Sequence, residues 1–206
     1  MDYRYVIFQL VLLIVFAALV GVRILYMRWV KGINALSIIK NKGKQKALGI
    51  TVVSLINLWV AVLLIYILHP EIEFLPQQLA TILIRHNASI IVGIVIILLG
   101  LVIYILSWVS LRNTWRIGHD EKNQSNLVVN GIYGISRHPM YLFYAMYFIG
   151  TFFINRASVF LVFAIAQSMT LHFLIIEEEK SLADTYGESF INYKKNTKRY
   201  WTFKKA

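Results

Sequence analysis

Residues 88–111 read ASIIVGIVIILLGLVIYILSWVSL. No charge interrupts this run, and nearly every residue is Ile, Leu, Val or Gly. About 20 such residues carry a helix across the hydrocarbon of a bilayer. Lipid admits only helices or closed barrels, because every backbone polar group must be satisfied within the structure. The run is continuous rather than alternating, which excludes a barrel strand. It therefore predicts a transmembrane helix, and its surroundings decide how many others accompany it.

Two apolar runs precede it, from about Tyr5 to Met27 and from about Leu48 to Leu68. The first is too long for the apolar region of a signal peptide and reads as a retained span. His69-Pro70 stops the second, and Glu71, Glu73 and Pro76 mark an exposed loop. After the only long polar connection, Arg112 to Pro139, come a short span from Met140 to about Ile154 and another from about Val159 to Ile176. Asn155, Arg156 and Ser158 form the tight turn between them. The whole chain is 58% hydrophobic and 15% charged, with mean hydropathy +0.63; a soluble domain carries about 25% charged residues. The fold class expected is an all-α integral membrane protein. It is a bundle of about five transmembrane helices with a C-terminal helical hairpin and a cytosolic amphipathic tail. Residues 1–111 read as a three-span scaffold. Residues 112–206 read as one structural unit of loop, hairpin and tail. No internal repeat or low-complexity segment is visible.

The net charge of +11 would suggest nucleic acid in a soluble protein. Here the cations flank membrane spans, so the expected partners are membrane lipids and not nucleic acid. Seventeen of the 21 basic residues fall in the loop after the first span, the Arg112–Pro139 connection and the tail. Arg4, Arg85 and Arg156 lie on the opposite side. This asymmetry places the three rich regions in the cytosol and the N-terminus outside. The absence of cysteine excludes disulfides, thiolate metal sites and a cysteine nucleophile.

Chemistry concentrates in two places. Between Gly131 and Tyr141 the sequence is GIYGISRHPMY. Gly131 and Gly134 permit backbone conformations that other residues resist. Pro139 suits the first turn of a helix and pushes His138 toward an extended conformation. The N-terminus of that helix points free backbone donors at the loop, where a carboxylate or phosphate would be welcome. The Gly-x-x-Gly spacing is not a dinucleotide fingerprint, since no strand precedes it and a third glycine is missing. The second place is Glu177, Glu178 and Glu179. At helical spacing, Gln167, Ser168, His172, Glu178 and Glu179 share an arc of about 140°. A polar stripe on a membrane helix faces the bundle or a cavity. The glutamates read either as an exposed acidic cluster or as a site for ribose hydroxyls or a cationic ligand. The hairpin returns its two ends to one side, so His138 and Tyr141 should lie near Glu178 and Glu179. His69, His86, His119, His138 and His172 show none of the i, i+3 or i+4 pairings of a clustered metal site, and no metal is expected. In the tail, Phe190, Tyr193, Tyr200, Trp201 and Phe203 mix with Lys194, Lys195, Lys198 and Arg199. That composition suits a surface-lying amphipathic segment.

Gly131-Ile-Tyr133-Gly-Ile-Ser-Arg137-His138-Pro139-Met-Tyr141 resembles a hallmark of the isoprenylcysteine carboxyl methyltransferase and phospholipid methyltransferase superfamily. Glu178-Glu179-x-x-Leu182, Tyr186-Gly187, Phe190 and Tyr193 resemble its second hallmark. The resemblance covers about Trp115 to Trp201. It implies S-adenosylmethionine as cofactor and an amphiphilic methyl acceptor bearing a carboxylate, amine or thiol. By position it implies cofactor contacts from Tyr133, His138 and Tyr141, with backbone from Val128 to Gly131. Glu178 or Glu179 would hold the ribose or the amino group. Arg137 would orient the acceptor or the cofactor carboxylate, and Glu179 or His172 would help an amine acceptor lose its proton. Arg137 and Glu179 are thus the expected catalytic residues; Val128, Gly131, Tyr133, His138, Tyr141 and Glu178 are the expected cofactor ligands. Arg199 resembles a tail arginine of the family, with Thr202 where a proline often follows. Leu174, Ile175 and Ile176 stand where prenylcysteine methyltransferases tend to carry an arginine. Two other readings share the motif. One is an NADPH-dependent reductase of the sterol-reductase type, although Leu142, Phe143 and Tyr144 replace the small residue and acid usual there. The other is a non-catalytic membrane protein.

Overall fold

The computed structural model describes residues 3–30, 43–68, 75–111 and 127–202. Their secondary structure is helical: α1 (Tyr3–Trp29), α2 (Gly43–Leu68), a single-turn α3 (Gln77–Ala80), α4 (Ala88–Leu111), α5 (Pro139–Asn155), α6 (Ser158–Tyr186) and α7 (Glu188–Asn196), with a 3-10 turn at Gly131–Gly134. The chain is an all-α integral membrane protein. Among the described helices α1, α2, α4 and α6 are long and apolar enough to cross a membrane. His69, Pro70, Glu71, Glu73, His119, Phe203, Lys31, Lys40, Lys42 and the first part of the polar connection lie outside the described residues.

α5 has 17 residues, about 25 Å of helix, against 24 residues in α4, and the turn before it meets the rest of α4. At one end, the arginine that closes α5 donates from its guanidinium to Asn87, just before α4, at 2.9 Å. The Leu83 N–H donates to the Arg156 carbonyl at 2.8 Å, and the Ser158 N–H to the Thr81 carbonyl at 2.9 Å. At the other end, the turn before α5 sits on Ser110 near the end of α4. The two helices therefore run antiparallel, side by side, along the length of α5. α1 runs parallel to α4. Gln9, near its start, meets Asn155 at the end of α5, and Met27 packs with Trp108, Leu111 and Met140 at the opposite end. One end of the bundle gathers the start of α1, the 77–87 segment and the α5–α6 turn. The other gathers the end of α1, the start of α2, the 127–138 loop, the end of α6 and α7.

Packing explains this arrangement. Gly93, Ile97, Gly100, Tyr104 and Ser107 recur at helical spacing and form the buried face of α4. A Cβ on Gly93 would lie 2.5 Å from the Gly150 carbonyl oxygen, and one on Gly150 would lie 2.7 Å from that of Gly93. Small residues let membrane helices approach this closely, and dispersion then replaces the absent hydrophobic drive. Phe16 of α1 packs its ring against Tyr104, Phe143 and Tyr144, at centroid distances of 4.8, 5.1 and 5.6 Å. Trp59 of α2 meets Tyr147 and Phe148, both at 5.6 Å. Gln9 and Asn155 exchange side-chain hydrogen bonds of 2.8 and 3.2 Å, and the Tyr147 hydroxyl donates to the Gln9 carbonyl at 2.9 Å. Replacing Asn155 by leucine leaves Gln9 Oε1 without its donor, while Nε2 keeps the Tyr5 carbonyl. Thermal unfolding in detergent is expected to show a loss of about 1 kcal/mol, within the range for such bonds in membranes.

α6 outruns its apolar stretch. The sequence predicted a span ending at Ile176, but the helix continues to Tyr186, where Gly187 at φ +52° ends it. The extension is rich in Glu, Lys, Leu and Ala, which keep a helix going outside lipid as readily as inside. It carries the three glutamates about one turn beyond the apolar segment. The predicted polar arc divides. Gln167 and Glu179 are buried, while Ser168 and His172 are partly exposed.

Candidate active site at the end of the hairpin

The site begins with the turn. Gly131 has φ +64°, and a Cβ there would lie 2.6 Å from Ser110 Oγ. Both the backbone conformation and the contact with α4 therefore require glycine. Gly134 has no such need, since its Cβ would meet only the Val129 carbonyl at 3.4 Å. Val128 is half-buried just ahead of the turn, and Ile132 is buried beneath it. Pro139 takes the first position of α5 and His138 its cap, with no side-chain capping bond. No side chain caps the first backbone donors of α5.

The tail returns to this loop. The Arg137 N–H donates to the Lys198 carbonyl at 3.1 Å, and the Thr202 N–H to the Ile135 carbonyl at 2.8 Å. Ser136 Oγ donates to the Arg199 carbonyl at 3.1 Å, and the Tyr193 hydroxyl to the Tyr133 carbonyl at 2.6 Å. α7 is amphipathic as expected, but its apolar residues Phe190 and Tyr193 are buried inside the protein. The tail is a strap over the loop rather than a free surface helix.

The three glutamates have three different environments. Glu177 pairs with Lys180 at 2.7 Å on an exposed surface. Glu179 is 5% exposed and lies between two arginines. Arg137 donates to its Oε1 from Nη2 at 2.6 Å and from Nε at 3.2 Å. Arg199 donates to Oε1 from Nε at 3.1 Å and to Oε2 from Nη2 at 2.8 Å. Arg137 Nη1 also donates to the carbonyls of Thr197 and Lys194. His138 Nε2 stands 3.3 Å from Glu179 Oε1. Burial alone would raise the Glu179 carboxyl. His138, Arg199 and Arg137 overcome that and hold it well below the usual carboxylate range. The bond to Glu179 in turn raises the Arg199 guanidinium.

Glu178 is different. It is half-buried, and its Oε2 is buried with no hydrogen-bond partner. His138 Nδ1 lies 3.6 Å from that oxygen, and the Tyr141 hydroxyl interacts with the same carboxylate. Burial first, and then the Glu178 charge, push the Tyr133 phenol up from its ordinary value. The rings of His138 and Tyr141 lie 5.8 Å apart. His138 Nε2 makes no well-aligned hydrogen bond, and its near neighbour is Glu179 Oε1 at 3.3 Å.

The structure thus brings Tyr133, His138, Tyr141 and Glu178 together, with Arg137 and Glu179 directly behind them. Gly131 and Val128 lie at the start of the turn, toward α4. His172 is elsewhere: its Nδ1 shares a 2.5 Å hydrogen bond with the Tyr200 hydroxyl, ring stacked on ring. No residue type signals the main-chain bonds of Thr197 and Lys198. Arg199 stood out only through its resemblance to a family arginine, and its partner Glu179 was not foreseen. Among the described residues no group of three or more His, Asp or Glu is placed to hold a metal ion; Glu179 spends both its oxygens on arginines.

Residues 88–189 match the family model described as phospholipid methyltransferase. The chain belongs to the isoprenylcysteine carboxyl methyltransferase/phospholipid methyltransferase superfamily. No curated protein matches it significantly. The match opens on the first residue of α4 and closes on the second residue of α7. It spans the turn, the hairpin and all three glutamates of this membrane methyltransferase relative. α1, α2 and the Thr197–Thr202 strap lie outside it.

Proposed function

We propose that the protein transfers the methyl group of S-adenosylmethionine to a lipid-like or small amphiphilic acceptor at the cytosolic membrane face. The observation that carries this reading is the Glu178 carboxylate, with a buried unpartnered oxygen amid His138, Tyr133 and Tyr141. A buried polar atom without a partner is costly; a bound ligand that donates to it removes that cost. The residues fit the cofactor. Glu178 holds ribose hydroxyls or the ammonium group, Tyr133 and Tyr141 flank it, and the uncapped donors at the start of α5 suit its carboxylate. Backbone from Val128 to Gly131 forms the outer wall. The cofactor supplies a methyl group already activated on a sulfonium, so alignment with the acceptor accounts for most of the rate effect.

Arg137 and Glu179 take a holding role in this proposal, since their polar groups serve one another, Arg199 and the strap. An acceptor carboxylate would find both arginines engaged, so an amine or uncharged acceptor suits the site better. Its apolar part has a place. A cavity of about 350 Å³ lies between α1, α2, α4 and α5, walled by Phe16, Val20, Trp59, Ile97, Phe143 and Tyr144. Ligand sites occupy about 300–1,000 Å³. Tyr144 lies one turn beyond Tyr141 on α5, so one helical face runs from the cavity to the cofactor residues. The excess of basic residues at this end of the bundle supports placing it in the cytosol.

Titration of the purified protein in detergent with S-adenosylhomocysteine is expected to show binding, with NADPH showing none. Glu178→Ala and His138→Ala are expected to weaken it at least tenfold, the loss of a hydrogen bond to a charged group, at unchanged expression. NADPH binding without S-adenosylhomocysteine binding would replace this reading with the reductase.

A further inference from the structure

The strap reaches membrane depth. Tyr200 bonds to His172, which lies four residues before the apolar part of α6 ends, about 6 Å inside it. Beside it Trp201 is 44% exposed and Tyr200 39%. Lys195 and Lys198 are exposed in the same segment, and so is Ile191 of α7, while Lys194, also exposed, keeps its Nζ within 4.0 Å of Glu179 Oε2. Exposed Trp and Tyr next to lysines match the headgroup layer of a bilayer, where amphipathic rings settle and cations meet anionic lipid. The apolar residues Phe190 and Tyr193 face inward, so membrane contact of the strap falls to this Lys, Tyr and Trp surface.

The same segment holds the loop through main-chain bonds. Lys198 accepts from Arg137, Arg199 accepts from Ser136, and Thr202 donates to Ile135. We propose that Lys195, Lys198, Tyr200 and Trp201 form a binding surface for anionic lipid headgroups, and that lipid seated there closes the strap on the Ile135–His138 loop. The activity of the site would then depend on the leaflet that surrounds it. The cofactor half of this inference rests on the proposed methyltransferase reading; the lipid half does not.

The test uses full-length protein in nanodiscs of phosphatidylcholine alone and of phosphatidylcholine mixed with phosphatidylglycerol. Hydrogen exchange is read at the Arg137 and Thr202 amides, with α4 amides as the reference for folding. Anionic lipid is expected to slow strap opening about fivefold for each lysine engaged, less at high salt, and to tighten S-adenosylhomocysteine binding in step. The K195Q/K198Q variant is expected to exchange alike in both discs, at the rate of the wild type in phosphatidylcholine. Equal wild-type exchange in the two discs overturns the proposal, as does an unchanged lipid effect in the variant. Slowed exchange with no S-adenosylhomocysteine binding in either disc would support the strap and refute the methyltransferase reading.

Discussion

Glu179→Ala is expected to unfold the strap and lower the stability of the protein by about 3 kcal/mol, the lower range for removing one partner from a buried ion pair. The substitution leaves the Arg137 guanidinium buried, held only by the Thr197 and Lys194 carbonyls. Arg199, partly exposed, recovers some hydration. Glu178→Ala removes a carboxylate that no arginine faces and is expected to leave stability unchanged while weakening cofactor binding at least tenfold. This contrast separates holding from ligand contact: both variants lose cofactor affinity, but only Glu179→Ala melts early and exposes the 197–202 segment to protease. The pairing of Glu179→Ala with Arg137→Met should be less damaging than the single change, because it removes the stranded charge. Acid acts in the same direction. The folded Glu179 carboxyl is held below its ordinary range, so its contribution is complete above about pH 4.3, the unfolded value. It is lost as pH falls from there toward the folded value. Equal melting of Glu178→Ala and Glu179→Ala would mean that the ion cluster does not hold the strap.

Much of this site was legible because membrane helices leave few choices. The run at 88–111 became α4 with the same limits. The Asn155–Ser158 turn closed the hairpin, and that alone brought His138 to Glu178 and Glu179. The division of roles between adjacent glutamates was not legible. Positions 178 and 179 differ by 100° around α6, and which one is filled depends on where Arg199 arrives from the tail. The strap binds through main-chain carbonyls, which no residue type announces. Gln9 was readable in principle, as a lone amide in an apolar span that must find a partner inside the bundle, whereas Asn155 reads as a turn residue. Their match across 146 positions depended on knowing that α1 runs against α5.

Gly150→Leu is expected to be the most damaging substitution in the membrane core. A Cβ at Gly150 would lie 2.5 Å from Ile97 Cγ1 and 2.7 Å from the Gly93 carbonyl oxygen, and one at Gly93 would lie 2.5 Å from the Gly150 oxygen. Ile97 can shift its side chain, but the Gly93 and Gly150 carbonyls are backbone, so no rotamer change relieves the contact and the helices must part. Overpacking of this kind costs about 3 kcal/mol at the upper end of its usual range. Alanine substitutions grade the effect. Gly21→Ala, with nothing within 4 Å, should be neutral. Gly100→Ala meets Met146 Cβ and Phe143 Cδ2 at 3.2 Å and should be milder than Gly150→Ala, because a shift of a few tenths of an ångström relieves both contacts. Gly150→Ala should cost about 2 kcal/mol. Thermal unfolding of the series in detergent reads the order directly, and a Gly150→Ala protein as stable as Gly21→Ala would refute the close α4–α5 contact. The consequence reaches the site. α4 carries Ser110, on which Gly131 rests, and α5 begins with the residues that follow His138. Parting the helices shifts the turn relative to Tyr141, so cofactor affinity should fall in the same order as stability. That correlation would not arise if the hairpin alone shaped the site.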